Sequence, residues 1–153
     1  MHHLELKIPP AVLVLLFAWA MWCVAEVSPW AVVQIPGKVL VASVLWGAGV
    51  VLIIIGAVAF ISARTTVNPL MPELTTSIVT RGIYKLSRNP MYVGFFMILV
   101  AWAVFLGNIL STVLLPLFVV YMNQFQITPE ENALLAKFGD EYARYLKSVR
   151  RWI

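Results

Sequence analysis

Apolar residues in this chain gather into four long runs separated by short polar breaks. The first, Ala11 to about Val27, follows the Pro9–Pro10 pair. The second, Val39 to about Ala63, lies between Pro36–Gly37–Lys38 and Arg64. The third runs from Met91 to about Leu106 and the fourth from Ile109 to about Ile127. At 1.5 Å rise per residue, about 20 apolar residues in a helix cover a hydrocarbon core of about 30 Å. Each run therefore reads as a transmembrane helix. Only Gly107–Asn108 separates the last two runs, which predicts a tight helical hairpin. Pro116 inside the fourth run predicts a kink, because proline removes a hydrogen-bond donor and clashes with the preceding turn. The pattern predicts an all-α integral membrane protein of about four transmembrane helices with a cytosolic C-terminal helical tail.

Composition sharpens this reading. Of 153 residues, 61% are hydrophobic and 12% charged, against about half and a quarter in a typical soluble domain. Mean hydropathy is +0.89. The first run is short enough to compare with a signal peptide. Its positive flank is Lys7 alone, and Trp19, Met21, Trp22 and Glu26 do not make a small-residue cleavage site, so it reads as a retained span. Cys23 is the single cysteine, which excludes an intramolecular disulfide and a cysteine-based metal site. His2 and His3 read as terminal tail. No metal and no nucleic acid is expected as a partner.

Charge gives the orientation. Arg64, Arg81, Lys85 and Arg88 lie between the second and third runs. Lys137, Arg144, Lys147, Arg150 and Arg151 follow the fourth, and Lys7 precedes the first. Only Lys38, of eleven lysines and arginines, falls on the other side. Basic residues favour the cytoplasmic side, so the termini and the 64–90 loop are expected there. The bilayer, rather than a nucleic acid, is the natural partner of a pI near 9.5.

A hairpin of the third and fourth spans brings the segment before one beside the segment after the other. Arg88-Asn-Pro-Met-Tyr-Val-Gly94 and Ile127-Thr-Pro-Glu-Glu-Asn-Ala-Leu-Leu-Ala-Lys-Phe-Gly139 are therefore expected neighbours. Thr128-Pro129-Glu130-Glu131 has a local explanation, with Thr128 as helix N-cap, Pro129 at the first helical position and Glu131 closing a capping box. Two adjacent carboxylates at a span exit also suit a cationic or hydroxyl-rich ligand. Gly139 reads as the residue ending that helix. A second amphipathic stretch follows, with Tyr142, Tyr145, Leu146 and Val149 on one side. It reads as an interfacial helix with Trp152 as aromatic anchor. Arg88 alone is a positive flank, Asn89–Pro90 a helix entry, Tyr92 an interfacial aromatic and Gly94 a packing glycine. Pro at the first position leaves the following N–H groups free for an anion.

The ordered set is more specific than its parts. Gly82-Ile-Tyr84, Ser87-Arg88-Asn89-Pro90-Met91-Tyr92-Val-Gly94, a hairpin, and Glu130-Glu131 followed by Leu134, Phe138–Gly139, Tyr142, Tyr145, Val149 and Arg151 resemble the isoprenylcysteine carboxyl methyltransferase family. Asn-Pro-Met-Tyr-x-Gly with Glu-Glu is also similar to phosphatidylethanolamine N-methyltransferases. The resemblance covers roughly residues 64–153. It implies a single membrane-embedded methyltransferase domain over 1–153, with 64–153 as cofactor-binding core and 1–63 as two N-terminal spans.

The resemblance further implies S-adenosyl-L-methionine as cofactor at the cytosolic face and a lipophilic methyl acceptor entering from the bilayer. Gly82, Tyr84, Asn89, Pro90, Met91, Tyr92, Gly94, Glu130 and Glu131 are the cofactor-side residues it suggests. Glu130 or Glu131 can accept from ribose hydroxyls or the ammonium, the N–H groups of Met91 and Tyr92 can bind the carboxylate, and Tyr84 or Tyr92 can pack on adenine or the sulfonium. Arg88, Tyr92 and Glu130 are the catalytic candidates. Glu130 or Tyr92 would be the base if the acceptor is an amine or hydroxyl. The sequence departs from the carboxyl methyltransferase pattern at Asn89, where those proteins often have His, and at Asn123-Gln124-Phe125-Gln126, where they often place a basic residue. Arg88, or Arg144, would then hold an acceptor carboxylate. Phospholipid N-methylation and a non-catalytic membrane scaffold are the alternatives. A sterol-reductase-like activity would need a nicotinamide site, and the sequence has no phosphate-binding glycine-rich loop.

Overall fold

A computed structural model describes residues 6–63 and 74–153, and among them the chain is helical with one isolated bridge between Val32 and Asn108. His2, His3, Arg64 and the first part of the loop that Arg64 opens lie outside the described residues. Helix α1 spans Pro10–Val27, α2 Lys38–Ser62, α3 Pro90–Leu106, α4 Leu114–Tyr121, α5 Thr128–Phe138 and α6 Asp140–Ser148. Pro10 and Pro90 occupy the first turns of α1 and α3, where a missing N–H costs nothing. Gly107, at φ +64°, ends α3 in a conformation that glycine adopts without strain.

Helices α1 and α2 are long and apolar enough to cross a membrane, and α3 is apolar but shorter, at 17 residues. Much of the apolar surface is exposed, including Leu15, Leu16 and Trp19 on α1 and Leu40, Val44 and Ile61 on α2. A continuous surface of this kind suits acyl chains rather than water.

The fourth apolar run is not one kinked helix. A 3₁₀ turn, Ser111–Val113, leads into α4, a six-residue π-helical segment, Met122–Ile127, follows, and α5 continues from it. Pro116 falls in the first turn of α4, where little hydrogen bonding is lost. The irregularity that the sequence places at Pro116 lies instead in the π-helical turn.

Helices α2 and α3 touch through their backbones. A Cβ on Gly49 would lie 2.7 Å from the Gly94 carbonyl oxygen, and a Cβ on Gly94 would lie 2.6 Å from that of Gly49. At Gly56 a Cβ would meet Met91 Cγ at 2.5 Å. Between helices in lipid, where no hydrophobic force drives association, close backbone approach is what gains dispersion energy. Gly94 thus has the helix-packing place that its residue type suggests. Helix α3 also packs on α1 and α4 through Leu13, Met21, Leu99, Ala103, Phe118 and Met122. Trp102 Nε1 donates to the Ala18 carbonyl at 2.9 Å, which satisfies an indole N–H that lipid could not.

Both hairpin ends are pinned together. Val33 N–H donates to Gly107 O at 2.7 Å and Ile109 N–H to Ala31 O at 3.0 Å. Buried Asn108 donates to the Ser28 carbonyl at 2.8 Å and accepts from the Ser111 N–H at 3.1 Å. Lys38 sits at this end, 5.7 Å from the Phe105 ring centre. The α1–α2 and α3–α4 connections therefore share one end of the bundle. The segment before α3 and everything after the π-helical turn share the other.

The glycine contact makes a direct prediction. Gly94→Leu should destabilise the protein by about 1–3 kcal/mol, as overpacking does, while Gly47→Leu, where a Cβ meets nothing within 4 Å, should be nearly neutral. Thermal melting in detergent separates the two; equal melting temperatures would show that the α2–α3 contact does not hold the fold.

Candidate functional site

The Arg-Asn-Pro step is held from both sides. Ser87 Oγ accepts the Asn89 N–H at 3.1 Å, and Asn89 O accepts the N–H groups of Tyr92 and Val93, both at 3.0 Å. This turns the chain from the 3₁₀ turn Gly82–Lys85 into α3. It also corrects one expectation. The Tyr92 N–H is taken by Asn89, so of the Met91–Tyr92 pair only Met91 is left for an anion. On the outside lies the C-terminal strap. Arg88 N–H donates to Arg150 O at 2.9 Å and Asn89 Nδ2 to Arg151 O at 3.0 Å. The Asn89 side chain thereby anchors the tail.

Glu131 ties the same two segments to α5. Its Oε1 lies 2.9 Å from Arg88 Nη1, and both its oxygens accept from the Arg151 guanidinium, Oε1 from Nε at 3.3 Å and Oε2 from Nη2. Glu131 and Arg88 are only 12% and 13% exposed, so the pairing is shielded from solvent and losing one partner would leave a buried charge uncompensated. The expected capping box is absent. Thr128 has helical dihedrals, φ −62° and ψ −45°, because the chain enters α5 from the π-helical turn. There is no free helix start for Thr128 and Glu131 to cap. Trp152 is likewise no outward anchor. Its Nε1 donates to Asn123 Oδ1 at 2.9 Å and its ring meets Phe96 edge-on.

Glu130 faces inward. Tyr92 Oη donates to its Oε1 at 2.5 Å. Burial, first of all, pushes the Glu130 carboxyl up to about 8, with neighbouring Glu131 adding to the rise and the Tyr92 hydroxyl and Gln126 amide opposing it. Near neutral pH it is largely protonated and ready to ionise beside a cation. The surrounding tyrosines stay neutral. Burial, then Tyr145 and Glu130, raises Tyr84 above its ordinary range. Burial, with Glu131 adding and Arg88 opposing, raises Tyr142. Burial pushes Tyr145 up to about 12 against the pull of Arg88. Tyr145 Oη donates to the Tyr84 carbonyl at 2.8 Å, which fixes α6 against the Gly82–Lys85 turn.

Of the residues singled out from sequence, Arg88, Asn89, Tyr92, Glu130 and Glu131 come together, and Tyr84 lies next to them. Pro90 starts α3, Met91 packs against Gly56, and Gly94 lies one turn deeper at α2. Gly82 has φ +61° and open space where a Cβ would be. Several buried polar atoms have no hydrogen-bond partner: Tyr84 Oη, Arg88 Nε, Tyr121 Oη and Gln126 Nε2. Two of these, Tyr84 Oη and Gln126 Nε2, border the Tyr92–Glu130 pair. Unpaired donors around a titratable carboxylate fit a ligand with cationic and hydrogen-bonding groups.

Known proteins resemble this chain in sequence. The phospholipid methyltransferase family model matches residues 37–141. The protein-S-isoprenylcysteine O-methyltransferase of Schizosaccharomyces pombe is 43% identical over 72 residues, 47% of this chain and 30% of the relative. A probable protein-S-isoprenylcysteine O-methyltransferase of Oryza sativa is 36% identical over 108 residues, 66% of this chain and 56% of the relative. An uncharacterized protein of Haemophilus influenzae is 49% identical over 63 residues, 41% of this chain and all of the relative. The matches thus span 30% and 56% of the length of these two named relatives. No solved structure matches the chain significantly. The family match covers more than half of the sequence and includes the Arg-Asn-Pro segment, Tyr92 and both glutamates, and the chain belongs to the phospholipid methyltransferase family.

Proposed function

We propose that this protein transfers a methyl group from S-adenosyl-L-methionine to a lipophilic acceptor at the cytosolic face of a membrane. The observation that carries the reading is the hydrogen-bonded pair of buried Tyr92 and part-buried Glu130, bordered by unpartnered donors, inside the segment matched by the family. The proposed topology has four crossings, made by α1, α2, α3 and the 109–127 run. Both termini and the 64–90 loop would be cytoplasmic, as the one-sided distribution of lysine and arginine favours.

When bound, the cofactor would supply a methyl group on a positively charged sulfur. Glu130 suits that cation or the ammonium, since a carboxylate partly shielded from water interacts more strongly with a charge it faces than one in bulk solvent does. Tyr92 holds Glu130 in place as a hydrogen-bond donor. Met91 N–H, at the start of α3, suits a carboxylate. The Arg88–Glu131–Arg151 cluster positions the strap that covers this end of α3. Alignment in a dry pocket is the source of rate expected for such a transfer.

The relatives' names favour a prenylcysteine carboxyl group as acceptor. A phospholipid amine is the second reading, and one observation favours it. Arg88 and Arg151 are both paired with Glu131, which leaves less of either guanidinium for an acceptor carboxylate. Membranes incubated with methyl-labelled cofactor would separate the acceptors.

Ionisation of Glu130 gives the test of the cofactor. The carboxyl titrates near 8 in the empty protein, and a bound cation lowers that value, so binding releases a proton. Affinity should therefore rise with pH and level off above about 8. The dissociation constant for S-adenosylmethionine, measured by calorimetry, should fall about tenfold from pH 6.5 to 8. Glu130→Gln should show only the titration of the ligand's own amine. Identical pH profiles for the two proteins would remove Glu130 from the site.

A further inference from the structure

The residue before Glu130 on the same helical face is a buried amide beside the Tyr92–Glu130 pair. Gln126 is 2% exposed, and its Nε2 has no hydrogen-bond partner. Burying an amide N–H without a partner costs stability, and apolar side chains of similar volume would fill the space without that cost. Gln126 lies four residues before Glu130, at the end of the π-helical segment Met122–Ile127. Residues four apart share a helix face. Its amide is close enough to Tyr92 and Glu130 to act on both. π-Helical turns are rare and are frequently found at functional sites. Here the widened turn includes the orphaned amide as its penultimate residue, and regular helix resumes at Thr128.

We propose that Gln126 is a ligand-contact residue, whose Nε2 donates to an uncharged acceptor atom, a ribose hydroxyl or an adenine nitrogen, of the nucleoside part of the methyl donor. The inference rests on the function proposed above and adds a division of labour. Glu130 recognises positive charge. Gln126, a neutral donor, recognises the nucleoside, which is the same before and after the methyl group leaves. S-Adenosylmethionine and its demethylated product, S-adenosylhomocysteine, should then depend on Gln126 equally.

Gln126→Met in the full chain, purified in detergent, tests this. Gln126→Leu serves the same purpose should the first variant fail to fold. Binding of both nucleosides is measured at pH 6.5 and pH 9. The expected result is a roughly tenfold weaker affinity for both at pH 9, where Glu130 is ionised, and a melting temperature of the empty protein that does not fall. If Gln126 only tuned Glu130, its removal would shift the pH at which binding strengthens and leave the affinity at pH 9 intact, which would overturn the proposal. Loss confined to S-adenosylmethionine would also overturn it, because that pattern belongs to a contact with the charged sulfur. If the unaltered chain binds neither nucleoside at any pH, the proposed cofactor fails and the role of Gln126 with it; if the unaltered chain binds and Gln126→Met binds as well, only the latter fails.

Discussion

The site depends on the position of one carboxylate, that of Glu131. Two guanidinium groups, Arg88 at the entry to α3 and Arg151 in the last residues of the chain, converge on it. Neither cation alone would hold so shielded an anion well, since desolvation weighs against each buried charge. Together they satisfy both carboxylate oxygens. The consequence is topological. Segments from three parts of the chain, the Arg-Asn-Pro turn, the start of α5 and the tail, are fixed at one point. Glu130, the neighbour of Glu131, is thereby delivered to Tyr92. The Arg150 and Arg151 carbonyls accept from Arg88 N–H and Asn89 Nδ2, so charge and backbone hydrogen bonding reinforce the same closure.

That closure works only if the helices arrive in register. The opposite end of the bundle supplies the constraint, where Asn108 and the Val33–Gly107 and Ala31–Ile109 hydrogen bonds lock the two connections together. Between the ends, Gly49 and Gly94 let α2 and α3 approach until only backbone separates them. Small residues and buried polar bonds therefore set the depth at which Tyr92 emerges. The apolar face of α6 completes the arrangement: Tyr142 and Tyr145 are buried, and Tyr145 holds the turn that carries Tyr84.

Much of this was legible in the sequence because its causes are local. The bounds of α1, α2 and α3 follow from apolar runs ended by Pro, Gly, Lys or Arg. The two-residue break at Gly107–Asn108 forced the Arg-Asn-Pro and Glu-Glu segments together. Other features were hidden because they depend on tertiary contacts. Thr128-Pro129-Glu130-Glu131 has the composition of a capped helix start, yet helix already precedes it, and Glu131 binds two arginines instead. Pro116 suggested a kink, but the helix begins just before it. Nothing in a π-helical turn distinguishes Met122–Ile127 from ordinary apolar helix, so Gln126 passed as part of a polar stretch. Trp152 looked like an interfacial anchor because the sequence cannot show that the tail folds back to Asn123.

A single ion-pair cluster holds the Arg-Asn-Pro turn and the tail at once. Amide hydrogen exchange on the full chain and on Glu131→Gln measures this directly. Loss of the carboxylate charge should deprotect residues 84–92 and 142–152 together, while α2 and the middle of α3 keep their protection. Deprotection of one of these segments without the other, or of neither, would show that Glu131 does not hold them together.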